Sequence, residues 1–312
     1  MEKEVREPAA GRALGNTGIT VSPLGFGCAS VWGKNLISDR EAAALFERAY
    51  ELGIRFFDTG HSYGNAEERI GKTLRASSSV EREKIVISTK FGTRSLDGKL
   101  VHDVSPAWIR ESVETSLRRM GIDYIDCLQV HGPIITDFTD ELLNVICDLK
   151  KQGKVLAFGA NSFDTDVLEY IRDSRCCDFV MLDYNITRPD REPLIRQLHD
   201  NGVGVIAGAA LAQSLYSNRV FRLRRPKDVW YLARAVVKFR DTRAKGKKYS
   251  FINNVEGMTG SQIALRYVLD NEYISTAVFG TTTMSHLEDN IQALDKEIPP
   301  EVYRRIRAFS GR

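Results

Sequence analysis

The chain has 312 residues, 43% apolar and 27% charged, the balance of a globular protein with an ample core, in one large α/β domain or two ordinary ones. Its net charge of +3 is too small to imply a nucleic-acid partner. No apolar run approaches the roughly 20 residues that span a bilayer, and the opening Met-Glu-Lys-Glu-Val-Arg is no signal peptide, so the expectation is a cytoplasmic protein with no membrane partner.

In chain order, residues 1 to 11 are polar and read as a loose tail, ahead of a single domain over 12–312. Arg12 to Ser22 predicts a hairpin turning at Asn16-Thr17-Gly18. Strand-like runs follow at Leu24–Gly27, Ile54–Phe57, Ile85–Thr89, Tyr124–Val130, Val155–Ala160, Phe179–Leu182, Val203–Ala207 and Thr276–Phe279. Helical patterns fill the gaps. Ser38 and Glu41 form a capping box before Ala42, Leu45, Phe46 and Ala49, with Gly53 at the stop position. Ile109, Val113, Leu117 and Met120 mark one apolar face, and Leu142, Ile146 and Leu149 another, ended by Gly153.

Eight nearly all-apolar strands alternating with one-sided helices predict an α/β fold, a closed (β/α)8 TIM barrel with an N-terminal β-hairpin. Gly25-Phe-Gly27-Cys-Ala-Ser30 lacks the third glycine of a Rossmann turn. A long insertion, about 70 residues, separates strands seven and eight. Within it Arg219 to Lys248 carries twelve Lys/Arg against two acids, either an anion-binding patch or the solvated side of a helix bearing Trp230, Leu232, Ala235 and Val236. Tyr216 to Met258 is read as a lid over the site.

Cys28, Cys127, Cys147, Cys176 and Cys177 are odd in number and contain no Cys-x-x-Cys, which predicts reduced thiols. The five histidines are scattered, and no metal site is expected.

The chemistry gathers where strands end, the catalytic face of a barrel. Strand two runs into Asp58, with Tyr63 five residues on, in a loop bracketed by Gly60 and Gly64. Strand three ends at Lys90 and strand four at His131. Each alone has a plain structural explanation: a capping Asp, a snorkelling Lys, a satisfied near-core His. Together they form a proton-donating site. A phenol is a poor acid at neutral pH, but an ammonium beside it favours the phenolate, and Asp58 would keep Lys90 charged and oriented. His131 is placed to donate to the substrate or phenol oxygen. Tyr63 then protonates a carbonyl oxygen, and the missing hydride requires a nicotinamide cofactor.

At this point the sequence resembles the aldo-keto reductase superfamily over nearly its whole length. The likeness runs through Arg12-Ala-Leu-Gly-Asn-Thr-Gly18, Val21-Ser-Pro-Leu-Gly-Phe-Gly27, Phe57-Asp58, Tyr63-Gly64, Ser88-Thr-Lys90, His131-Gly132, Gly280-Thr-Thr and Glu288-Asp-Asn290. The resemblance implies that Asp58, Tyr63, Lys90 and His131 are the catalytic tetrad, and that NADP(H) or NAD(H) binds without a Rossmann domain. It places Gly27, Cys28, Asp58, Asn161, Ser162, Met181, Gly208, Leu211 and Gln213 along the coenzyme. Gly280, Thr281, Thr282, Thr283, His286, Asp289 and Asn290 follow at its adenosine end.

Three departures stand out. Asn161 and Ser162 exchange the usual Ser and Asn, and Met181 replaces their glutamine partner. Gly208-Ala-Ala-Leu211 replaces a segment that supplies a stacking wall. Thr283 and His286 stand where Lys and Arg grip the 2′-phosphate, which predicts weaker discrimination for NADPH. Ser285 to Glu288 reads as a capping box whose helix N-terminus can receive an anion. Trp32, His61, Phe91 and Trp230 are the substrate-pocket candidates, with Trp32 and Phe91 equally readable as packing. The expected partner is a small carbonyl compound or sugar lactol, and the chain a monomer or homo-oligomer. Two other classes stay open: a nucleotide-binding regulatory subunit with little turnover, and a sugar-phosphate isomerase on the same barrel.

Overall fold

The computed structural model describes residues 6–34, 36–96, 99–212 and 247–309. Gln213, Trp230 and the greater part of the basic segment and of the expected lid fall outside them. Eight parallel strands close into a (β/α)8 TIM barrel in sequential order. They are Leu24–Gly27, Phe56–Asp58, Val86–Phe91, Ile125–His131, Val155–Asn161, Phe179–Asp183, Gly204–Gly208 and Thr276–Phe279, called strands one to eight below. Six of the expected strands run one or two residues further than their apolar stretches, because the polar residue or glycine at each mouth still pairs in the ladder.

Period-two alternation sorts each strand between two cores. Inward residues Phe56, Val86, Cys127, Ala157, Phe179, Met181, Ile206 and Val278 fill the barrel with Leu14 and Val21. These last two come from the hairpin Arg12–Ala13/Thr20–Val21, so the hairpin plugs the end opposite the site. The other core lies between strands and helices, and holds Ile109, Val113, Leu117, Leu142, Ile146 and Leu149 from the helical faces read above. Helix α1 (Asp39–Glu51) starts at Ser38 with the capping box formed in both directions, worth about 1 kcal/mol of helix stability.

Three features differ from the sequence expectations. The tail is partly tied down, with the Arg6 guanidinium on Asp295 at 2.8 Å and its amide donating to the Glu51 carbonyl. An unanticipated antiparallel ribbon, Thr93–Leu96 with Lys99–His102, rises from the end of strand three. The helix after strand eight, Met284–Ile291, begins two residues earlier than a Ser285 cap allows. Thr283 is its N-cap and makes no side-chain capping bond, while Glu288 pairs with Arg48 at 3.0 Å, so the Ser285–Glu288 box does not form.

Candidate active site

Strand register brings the polar groups of strands two to four to one level. Asp58 is the cross-strand partner of Ser88, Lys90 of Gln129, and His131 of Asn161. Asp58 and Lys90 are both buried. Lys90 Nζ lies 2.6 and 2.7 Å from the two Asp58 oxygens and 2.6 Å from the Thr59 carbonyl. Burial opposes the Lys90 ammonium, yet Asp58 and then Tyr63 together more than offset it, and Lys90 is held above the ordinary lysine range.

Tyr63 leans over this pair. Its ring centroid is 5.1 Å from Lys90 Nζ and 5.8 Å from the His131 ring, which meets it edge-on at 88°. Burial, then the Lys90 charge and His102, lower His131 to about 4, so it is neutral at physiological pH. Its Nδ1 is buried without a partner among the described residues.

Two glycines let the loops carrying Tyr63 and Trp32 press together. A Cβ on Gly33 would lie 1.4 Å from the Tyr63 carbonyl oxygen, and Gly64, at φ +62°, has its own Cβ position 2.2 Å from the Gly33 oxygen. The loop is pinned from behind by helix α2 (Ala66–Ala76) and helix α3 (Pro106–Met120). Fully buried Glu67 accepts from Thr89 Oγ1 at 2.7 Å, and Arg119 reaches both Glu67 at 3.1 Å and the His61 carbonyl at 3.2 Å. Thr89 precedes Lys90 and His61 precedes Tyr63 by two, so this clamp sets the spacing of ammonium and phenol.

The structure places three of the pocket candidates. His61 turns toward α3, where its ring packs edge-on to Trp108 with Nδ1 3.4 Å from Ser116 Oγ. Trp32 is 1% exposed against Phe26 and Phe46, and Phe91, also 1% exposed, stacks on Phe158. Trp32 and Phe91 pack in the core, whereas His61 stays half-buried against α3. Two residues unread in the sequence emerge instead. Gln129 and Ser88 sit two positions below His131 and Lys90 on the same inward faces, a relation that strand alternation alone predicts.

On the opposite side of the mouth, Asn161 lies between His131 and Met181 in the ladder. Ser162 is buried, its hydroxyl accepting from the Asp164 amide at 3.2 Å. Arg191, 3% exposed, bonds Asp183 and Thr165 and fixes the segment after strand five. Gly208 lies close against Met181, whose Cγ would stand 3.1 Å from an added Cβ. Beyond it Ala209 and Ala212 take left-handed backbone, φ 51° and 44°, and Leu211 packs half-buried between them. Cys28, whose amide donates to the Asp58 carbonyl at 2.7 Å, is core; burial and then Asp58 push its thiol well up. Asp289 is engaged by Thr259 and Gln262, each at 3.0 Å, and Asn290 is buried beside it.

A nucleotide fits this side. The uncapped first turn at Thr283 leaves amides for an anion, and Thr281 to His286 are open to solvent or half-buried. Gly27 and Gly280 meet at the mouth between strands one and eight, where a Cβ on Gly280 would lie 3.0 Å from the Gly27 oxygen. Among the described residues no group of three His, Cys, Asp or Glu is placed to hold a metal, and no helix is long and apolar enough to cross a membrane.

A closed (β/α)8 barrel with four polar groups converging at its carboxyl end defines the class. The protein belongs to the aldo/keto reductase family, whose profile matches residues 23–310. It is similar to L-galactose dehydrogenase of Arabidopsis thaliana, 30% identical over 91% of this chain and 87% of that protein. NADH-specific methylglyoxal reductase of Escherichia coli is 28% identical, over 90% of this chain and 92% of that one. Among solved structures, the holo form of aldo-keto reductase AKR11C1 from Bacillus halodurans superposes with a TM-score of 0.79 at 27% identity, covering 96% of this chain and 95% of that chain.

Proposed function

We propose that this protein interconverts the carbonyl group of a small polar aldehyde, ketone or sugar lactol/lactone with an alcohol, using a nicotinamide dinucleotide. The observation that carries the reading is the Lys90 ammonium, clamped by Asp58 at 2.6 and 2.7 Å and set 5.1 Å from the Tyr63 ring, with neutral His131 edge-on to the same ring. When bound, the reduced nicotinamide supplies the hydride that no side chain offers. Asn161 and Ser162 would hold its carboxamide side, Gly208 to Leu211 would line the central stretch, and Thr281 to His286 would receive the phosphates.

Tyr63 gives its proton to the substrate oxygen as charge develops there, and takes one back in the reverse direction. Lys90 favours the phenolate that remains. Being neutral, His131 keeps one N–H to orient the substrate oxygen. Related proteins named for L-galactose, methylglyoxal and L-glyceraldehyde 3-phosphate support a short, polar carbonyl substrate. Thr283 and His286 at the anion-receiving turn, together with a relative named NADH-specific, support weak discrimination between NADPH and NADH.

The test is a nicotinamide-fluorescence titration followed by turnover on a panel of hydroxyaldehydes, oxoaldehydes and aldoses. Binding with turnover on at least one class is expected. Tight coenzyme binding without turnover would replace the enzyme by a nucleotide-binding regulatory subunit, and no binding at all would sink the reading.

A further inference from the structure

Lys90 carries three N–H protons, and in this structure Asp58 Oδ1, Asp58 Oδ2 and the Thr59 carbonyl stand at 2.6, 2.7 and 2.6 Å to receive them. A hydrogen bond with Tyr63 bears on Lys90 as well. Four acceptors therefore share three protons, and the phenol is served only as Asp58 is served elsewhere.

We propose that Gln129 and Ser88 are positioning residues that give Asp58 donors of its own, releasing a Lys90 proton toward the Tyr63 oxygen; this rests on the reading of Tyr63 as the proton-exchanging group. Gln129 Nε2 lies 3.2 Å from Asp58 Oδ1 and 2.5 Å from Ser88 Oγ. The amide orientation follows from chemistry, since a carboxylate only accepts and the nitrogen must face it. Burial raises the Asp58 carboxyl, and Ser88 Oγ, accepting from Gln129, keeps its own proton for Asp58, a bond that favours the carboxylate against that burial. Both residues are fully buried.

The energetics argue against a filler role. Gln129 Oε1 is buried with no partner among the described residues, a burden that a leucine or methionine of similar volume would avoid. Its two N–H donors are what the site gains. The titratable groups around the phenol are Lys90 from strand three, Asp58 behind it on strand two and His131 from strand four, with His102 of the ribbon acting on His131.

Gln129→Met keeps the volume and removes both donors, and Ser88→Ala removes the relay alone. Tyr63 is titrated in the coenzyme-free protein as the difference in tyrosinate absorbance between each variant and its Tyr63→Phe counterpart. The Gln129→Met midpoint should rise by about one pH unit, and carbonyl reduction should fall roughly tenfold with coenzyme affinity unchanged. Ser88→Ala should move both in the same direction by less, and it decides the matter if Gln129→Met does not fold. A merely structural role would lower Tm and leave the Tyr63 midpoint where it was. Unmoved midpoints in an otherwise active enzyme overturn this inference alone. A moved midpoint in a protein that turns over no carbonyl overturns the reaction and leaves only the hydrogen-bond sharing.

Discussion

The two halves of the barrel mouth are built by different means. On strands two to four, the groups that converge are side chains on paired strands, locked by ladder register: Asp58 opposite Ser88, Lys90 opposite Gln129. From strand five onward, the proposed coenzyme side also uses what lies past the strand ends: small residues, two left-handed alanines and the uncapped turn at Thr283. Register fixes the face and level of a side chain because each strand is paired along its length. A loop holds only its ends. The proposed catalytic half carries all four residues of the family pattern in this chain, whereas all three departures from that pattern fall on the proposed coenzyme half.

The largest effect should come from the rigid half. Tyr63→Phe should lower carbonyl reduction by roughly 10²–10⁴-fold with coenzyme affinity nearly intact; near-normal turnover would mean the acid lies elsewhere. Next is the clamp behind the loop. Arg119→Met leaves the fully buried Glu67 carboxylate without its guanidinium, and breaking such a pair costs about 3–5 kcal/mol. Chemical denaturation measures that loss, and a cost under about 1 kcal/mol would show that the clamp does not hold the halves apart in rigidity.

His131 gives a pH test of the same half. Its folded value is lowered from 6.5 to about 4, so between those values the unfolded chain binds the proton and the folded one does not. Stability therefore falls as pH drops through that window, by on the order of 3 kcal/mol at full extent. His131→Gln should flatten this part of the stability profile relative to the parent, and parallel profiles would contradict the buried neutral imidazole.

The loop-built half should respond less, and mainly in preference. Thr283→Lys with His286→Arg should raise the NADPH:NADH ratio of kcat/KM by roughly 10–100-fold, the worth of one or two charge-assisted bonds. A parent enzyme already favouring NADPH by several thousandfold would show that a cation elsewhere, the basic segment included, grips the phosphate. The smallest effect belongs to Ala209→Gly. Relief of its positive φ should stabilise the protein by about 1 kcal/mol, read as a modest rise in Tm. A fall in Tm would show that the methyl group packs well enough to offset the strain.

The barrel was legible in the sequence because its two periods were written plainly: continuous apolar strands ending in Gly or a polar residue, and one-sided helices between them. Asp58 was legible as the first polar residue after an apolar run, and Lys90 and His131 as the ionisable residues at the ends of strands three and four. The sequence by itself could not show where His61 points. Its neighbours in the chain frame the catalytic loop, but α3 contributes Trp108 and Ser116, and these draw the ring outward. Nor could it show the ribbon, whose exposed Leu100 and Val101 follow no buried pattern, or the tying of Arg6 to a turn 289 residues away. Gln129 was visible as a letter and invisible as a donor, because its role depends on Ser88 and Asp58 lying across two strand pairings. Local periodicity determines which face a residue takes; only packing among elements distant in sequence decides what that face meets.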